Sequence, residues 1–381
     1  MDYKIEYLKR DEKLITNLDK TIIINKILFK QIVKEKKRID LIPSDKWKLI
    51  RTIITDYEFV GNNKYHSIKK LKDNHAISRA YYKLWEILSV FENEMNVKTS
   101  HKEGMNMLGL AEAPGGFIQC VIDYRKNKKD NFYGISLRDA ENNRIPWVAK
   151  LLKENNIHIL FGDEKRNHDG NLYNPEIITY FDKYYKNNKM DLVTADGGFL
   201  ISMKEENQKG QLHNQLFLCE TYMALITLKN GGHFVLKVYD LNNKFMIDLI
   251  YILSNIFEIV HTFKPVTSRE MNSEHYLVCI NFNQKKFTKK IKSTLFKVIK
   301  TLWNDKDIIL TSLINEKNKD YKKVLNQVKN YNIKNMSNQL DKLTDAIKLS
   351  KNDNFQLKQK IKDIHRKKSK YAYSWIEKHN F

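Results

Sequence analysis

The sequence predicts a doubly wound α/β protein: a mostly parallel seven-stranded sheet with flanking helices, followed by a basic helical C-terminal extension. Three observations carry this. From Met105 onward, apolar runs of strand length alternate with amphipathic segments of helix length. Two of those runs lead into glycine pairs, PGG at 114–116 and DGG at 196–198. After Phe282 the alternation gives way to helical spacing with lysine-rich faces.

The apolar runs are MLGLAEA, NFYGISL, IHILF, MDLVTAD, GHFVLKVYD, EIVHTFK and HYLVCINF. Between most of them lie the helix-length segments GFIQCVIDYRK, PWVAKLLKEN, PEIITYFDKYYK, NQLFLCETYMALITLK and KFMIDLIYILSNI. Such alternation implies parallel strands joined by crossover helices. The last two runs follow one another without a helix between them, which predicts a seventh strand inserted antiparallel at the sheet edge. Upstream, SRAYYKLWEILSVFE places Tyr82, Trp85 and Leu88 on one side of a helix, with Ser78 as its N-cap. The expected organisation is an N-terminal extension over 1–70, the sheet domain over 71–283, and a lysine-rich helical extension over 284–381.

At 381 residues, 42% hydrophobic and 29% charged, the chain has the composition of a folded protein with a real core. Its three cysteines, Cys120, Cys219 and Cys279, form no CxxC pair and read as reduced core thiols, so neither a zinc site nor a disulfide framework is expected. The net charge of +22 points to a polyanionic partner, nucleic acid ahead of membrane. An AT-rich coding sequence would also enrich lysine, so charge alone does not establish that partner. Its distribution is more telling: residues 284–381 hold 25 Lys and Arg against 9 Asp and Glu, whereas the other 283 residues hold 42 against 36. No apolar run approaches membrane-spanning length and MDYKIEYLKRDEK lacks a signal-peptide core, so an intracellular protein is expected, cytoplasmic or nuclear.

Four motifs carry chemistry. In LGLAEAPGGF (108–117) a buried strand enters a Gly-containing turn and then a helix, the place where an open α/β sheet holds a nucleotide-like ligand. It lacks both the GxGxxG and GK[ST] patterns, so NAD and ATP phosphates fit poorly, and an ordinary βα turn would read the same way. In MDLVTADGGF (190–199) Asp196 stands at the carboxyl edge of the sheet, as a catalyst or as a turn former. In GGHFVLKVYD (231–240) Lys237 sits late in an apolar strand, where it needs a partner or a route to solvent. In KPVTSREMNSEHYLVC (264–279) a polar loop delivers Glu274 to the start of another strand.

Taken in chain order, PGGF, ADGG, the late-strand lysine and SRxxNSExY, together with the lysine of SRAYYKL, resemble the FtsJ/RrmJ-like RNA ribose 2′-O-methyltransferases, and among them most the cap-specific mRNA enzymes. The resemblance covers about half the chain, from Ser78 to Cys279. It implies a class I methyltransferase fold, S-adenosylmethionine as cofactor, RNA as partner, and a catalytic tetrad of Lys83, Asp196, Lys237 and Glu274. Lys237 is then the general base, made neutral by the second cation Lys83 and by partial desolvation, since an ordinary lysine (pKa ~10.4) is protonated at neutral pH. Glu274 orients the lysines, and Asp196 fixes the methionine end of the cofactor or the base. The cofactor contacts implied are Gly115, Gly116, Phe117, Ser136, Asp163 and Asp196, with Asp169 as a second candidate in the loop of Asp163; Asp163 also reads as a turn residue. Ser136 replaces an acidic residue of the bacterial ribosomal-RNA members.

Capped mRNA leads as substrate, because the NSExY spacing and the long GDEKRNHDGNLYNPE loop resemble the cap enzymes. Ribosomal RNA is the runner-up, transfer RNA a third substrate, and a catalytically inactive RNA-binding or scaffold module the non-enzymatic alternative. In the C-terminal extension, lysines interleaved with Phe355, His365, Tyr371, Tyr373 and Trp375 suit phosphate contacts and base stacking, while Ile and Leu at helical spacing suit packing on the sheet domain.

Overall fold

The computed structural model describes residue 1 and residues 3–9, 20–62, 64, 68–99, 102–138, 146–153, 156–198, 213–315 and 319–381. Strand β1 (Tyr3–Lys9) and helices α1 (Lys26–Ile39), α2 (Ser44–Ile54) and α3 (Ala80–Val90) precede the sheet proper. Then come β2 (Asn106–Leu110), α4 (Gly116–Arg125), β3 (Asn131–Ile135), β4 (Ile157–Leu160), α5 (Pro175–Tyr184), β5 (Met190–Ala195), α6 (Asn214–Thr227), β6 (Leu228–Tyr239), α7 (Lys244–Ile256), β7 (Phe257–Phe263) and β8 (Glu274–Phe282). The chain closes with α8 (Lys289–Asn304), β9 (Ile308–Ile314), α9 (Lys319–Leu349) and α10 (Asn354–Lys378).

Seven strands form one sheet in the order β4-β3-β2-β5-β6-β8-β7. Strands β2 to β6 run parallel, and β8 is antiparallel to both β6 and β7. The antiparallel strand therefore enters one place in from the edge, not at the edge as expected: β7 takes the edge position, and the polar 264–273 loop brings β8 back between it and β6. Alternation along the central strands sends side chains into two apolar clusters. Phe234, Leu236, Val238, Leu277 and Cys279 join one cluster with α5, α6 and α7, while Val235, Tyr276, Val278 and Ile280 join another with α3 and α4. Both faces are covered, which is why the strands read as nearly continuous apolar runs.

Local sequence explains the helix ends. The side chains of Asn174, Asn243 and Thr288 cap α5, α7 and α8, and Asp353 with Gln356 forms a capping box on α10. Ser78 makes no such cap: the N-cap position of α3 is Arg79, without a side-chain hydrogen bond. The segment 146–155 does not supply the expected crossover helix; of its described residues only Leu151–Lys153 form a single 3₁₀ turn.

The C-terminal region is not purely helical. β9 pairs antiparallel with β1, joining opposite ends of the sequence in a two-stranded ribbon. Apolar packing crosses both boundaries drawn from composition: Leu295 and Val298 of α8 share a cluster with the sheet, Trp375 and Phe381 pack with Tyr81 and Trp85, and α1 packs with α9. Among the described residues no helix is long and apolar enough to cross a membrane.

Candidate active site

Between β2 and β5 the strand order reverses, and that switch point is where an open α/β sheet forms its ligand crevice. Leu110 lies beside Ala195 at the carboxyl ends of these strands, and the Asp196 amide donates to the Leu110 carbonyl at 3.3 Å. The turn after β2 is built on Glu112. Its carbonyl accepts the Gly115 N–H at 2.9 Å, and its carboxyl Oε1 accepts the Phe117 and Ile118 amides at 2.6 and 3.2 Å. Gly115 has φ of 105°, a backbone state that side chains resist, and a Cβ there would stand 2.3 Å from the Leu151 side chain. A Cβ on Gly116 would stand 2.3 Å from the Ser78 hydroxyl. The Phe117 ring is buried in the core against Tyr276. Ser136, just past β3, accepts the Ala113 amide at 3.1 Å and so ties a second strand end to the turn.

Asp196 follows β5, and the register that sets Ala195 opposite Leu236 puts it alongside Lys237 of β6. Lys237 Nζ lies 2.9 Å from the Asp196 carboxylate and donates to the Asp196 carbonyl at 2.6 Å. Because β8 is antiparallel, its first residue reaches this same edge: Glu274 sits opposite Tyr239, diagonal to Lys237. From α3, Lys83 Nζ reaches Glu274 at 2.7 and 2.9 Å from its two oxygens. Glu274 Oε1 also accepts from Ser268 Oγ at 2.9 Å and from the Tyr276 hydroxyl at 3.4 Å. The four residues singled out by the motifs thus form two adjoining ion pairs, Lys237 with Asp196 and Lys83 with Glu274.

Their charges differ from the expected arrangement. Burial disfavours the Lys237 ammonium, but Asp196, Tyr239 and Glu274 outweigh it and hold the amine above the usual lysine range. The expectation of a base neutralised by Lys83 is therefore not met by the protein's own charges: Lys83 is paired with Glu274, and the nearest partner of Lys237 is an anion. Burial likewise opposes the Glu274 carboxylate, and Lys83, Lys237 and Lys264 together overcome it and hold the group well below the usual carboxylate range.

The remaining residues of the cofactor set lie at neighbouring strand ends. Asp163, past β4, caps a short turn by accepting the Lys165 amide at 3.1 Å, and its own amide donates to His168 Nδ1 at 3.0 Å. Asp169 accepts the Asn171 amide at 3.0 Å. Phe199, the last residue of the ADGGF motif, lies outside the described residues.

A model of the FtsJ-like methyltransferase family matches residues 76–282, more than half of the sequence. The chain belongs to the FtsJ-like methyltransferase family. Cap-specific mRNA (nucleoside-2′-O-)-methyltransferase 1 of Bos taurus is 28% identical over 275 residues, covering 68% of this chain and 31% of that protein. Cap-specific mRNA (nucleoside-2′-O-)-methyltransferase 2 of Mus musculus is 31% identical over 238 residues, covering 60% and 30%. The crystal structure of a ribosomal RNA methyltransferase from Plasmodium falciparum is 22% identical, covers 54% of this chain and 97% of that one, and has a TM-score of 0.38. The chain spans under a third of the length of these two curated relatives.

FtsJ-like methyltransferases use S-adenosylmethionine, and the first turn fits that cofactor better than a nucleotide phosphate. In a phosphate-binding turn the amides at the helix N-terminus point at the ligand. Here Glu112 already occupies the Phe117 and Ile118 amides, which leaves no place for a phosphate on those groups and suits a phosphate-free nucleoside. Asp196, at the same edge, offers a carboxylate to a cationic group.

Three site residues escaped sequence reasoning. Glu112 stands inside the quoted motif, but nothing marks its side chain as folding back beneath Gly109, where an added Cβ would meet it at 2.7 Å. Burial and the Asp196 charge push its carboxyl well above the usual range, toward the neutral acid. Glu220 of α6 is fully buried against Gly197, where a Cβ would come within 2.0 Å of its carboxyl oxygen. Gly197 is thus a glycine to admit the protein's own glutamate. Lys264 is the third: it donates to the Asn272 and Glu274 carbonyls and the Asn272 side chain at 2.8–2.9 Å, and burial lowers its amine to about 8 despite Glu274 and Glu270.

Proposed function

We propose that this protein transfers a methyl group from S-adenosylmethionine to a ribose 2′-hydroxyl of RNA, and that its substrate is capped mRNA, methylated at the first transcribed nucleotides. The observation that carries the reading is the pairing of Lys237 with Asp196 and of Lys83 with Glu274 at one strand edge. The names of the curated relatives support the capped substrate.

When bound, S-adenosylmethionine supplies an electrophilic methyl on a sulfonium, and with it a positive charge. A ribose hydroxyl is a weak nucleophile that must lose its proton as it attacks, and Lys237 Nζ is the acceptor in this reading. Lys237 starts as an ammonium, and it moves toward the neutral amine once Asp196 is shared with a second cation. Glu274 holds Lys83 in place, and Lys83 helps position the ribose. Gly115, Gly116, Ser136, Asp163 and Asp196 are assigned to the cofactor side; Phe117, with its ring in the core and its amide held by Glu112, would serve by fixing the turn.

Lys237→Ala should lower methyl transfer by about 10²–10⁴-fold while donor affinity, measured by calorimetry, stays within a few-fold of wild type. Turnover retained in that variant would remove Lys237 as the base.

A further inference from the structure

Residues 379–381, which follow α10, pack directly on the helix that carries Lys83. Phe381 lies against Tyr81, Tyr82 and Trp85 of α3, with ring centroids 4.9–6.2 Å apart. The Trp85 indole donates to the His379 carbonyl at 3.0 Å, and the His379 ring meets the Ser89 hydroxyl at 2.6 Å. Three residues beyond Lys83, Glu86 is buried among four donors: the Val266 amide at 2.7 Å, the Thr267 amide at 3.1 Å and hydroxyl at 2.8 Å, and the Trp375 indole at 3.2 Å. Val266 and Thr267 belong to the loop that runs into Glu274. Arg79, at the start of α3, adds a bond to the Thr267 carbonyl at 3.0 Å.

One buried carboxylate therefore joins the helix of Lys83, the loop of Glu274 and the C-terminal helix. A buried acceptor with several donors fixes geometry tightly, because leaving any of those donors unpaired costs about 1–3 kcal/mol. We infer that Glu86, Trp375 and residues His379–Phe381 are positioning residues that hold Lys83 against Glu274, making the segment after α10 part of the apparatus of the site. The inference rests on the methyl-transfer reading for its kinetic consequence, but the placement of Lys83 stands apart from it.

The test is acetic anhydride labelling of individual lysines, read by mass spectrometry, on the full chain, on a chain ending at Lys378, and on Trp375→Phe. The last keeps an aromatic ring and loses the donor to Glu86. Labelling needs neither RNA nor methyl donor, so it decides the placement of Lys83 even in a protein that methylates no RNA. Lys244, paired 2.8 Å from Asp248 and remote from this contact, is the internal reference. The expected result is faster labelling of Lys83 in both variants, more so in the truncation, with Lys244 unchanged. Lys83 labelling at the wild-type rate overturns the inference, and so does a parallel rise at Lys244, which reports general loosening. In the transfer assay, kcat of the truncation should fall about tenfold to a hundredfold with the donor KM held. In a Lys83→Ala background the truncation should cost no more; additive losses also overturn the inference.

Discussion

Lys237 keeps its proton because a carboxylate lies 2.9 Å away, so the same contact sets how the protein responds to pH. An amine held above its usual range deprotonates only at higher pH, and such a base in the donor-free protein gives a kcat/KM that climbs through the alkaline range. Asp196→Asn removes the charge that favours the ammonium. The ascending limb of the pH–kcat/KM profile should then move toward lower pH, by about one to three units. A limb that stays in place would show that Asp196 does not govern the base. Gly197 and Glu220 belong to the same scale: Glu220 is fully buried against the backbone that follows Asp196, where only a glycine leaves it room. No sequence pattern announces this, because a glutamate amid the apolar NQLFLCETYMALIT looks like an ordinary helical residue until the fold buries it.

Helix α10 has two unlike faces. Leu357, Ile361, Ala372, Trp375 and Ile376 are buried against the rest of the molecule, while Lys358, Lys362, Arg366 and Lys370 recur every four residues on its exposed side. The packing reading of the C-terminal region is met by the buried face, the phosphate-contact reading concerns the exposed one, and the aromatic set divides between them. Trp375 is wholly buried and Tyr371 packs on Tyr57, whereas Phe355 and Tyr373 remain open to solvent. Changing those four exposed cations to Gln should spare the fold and weaken RNA binding. The slope of log affinity against log salt should shrink by about 0.7 for each phosphate no longer neutralised. Filter binding across a salt titration measures it, and an unchanged slope would assign the lysines to solvation alone. Removing residues 290–381 would not test this point, because α8 and β9 contribute Leu295, Val298, Leu310 and Leu313 to the main core.

Across the whole molecule, the parts legible in the sequence are those governed by local periodicity and by motif order. The seven apolar runs and the crossover helices at 116–125, 175–184, 214–227 and 244–256 follow from such signals, and the adjacency of Lys83, Asp196, Lys237 and Glu274 from the family resemblance that the motif order carries. What escaped depends on contacts far apart in sequence: the β1–β9 ribbon, the inward place of β8, the seating of Phe381 on α3, and the carboxylates of Glu112 and Glu220. The YKIEYLK of β1 alternates apolar and charged residues but shows no partner until β9 pairs with it, and Phe381 shows none until the rings of α3 pack against it. The charge of Lys237 departs from expectation for the same reason, since one-dimensional order shows which charges meet but not which of them pair. The central claim, methyl transfer to a ribose of RNA, is tested most directly by incubating the protein with capped and uncapped transcripts and labelled S-adenosylmethionine, then digesting the RNA with alkali. A methylated 2′-hydroxyl cannot attack its neighbouring phosphate, so the expected result is label in an alkali-resistant fragment at the capped end and little on uncapped RNA. Label released as ordinary mononucleotides would place the methyl on a base and contradict it.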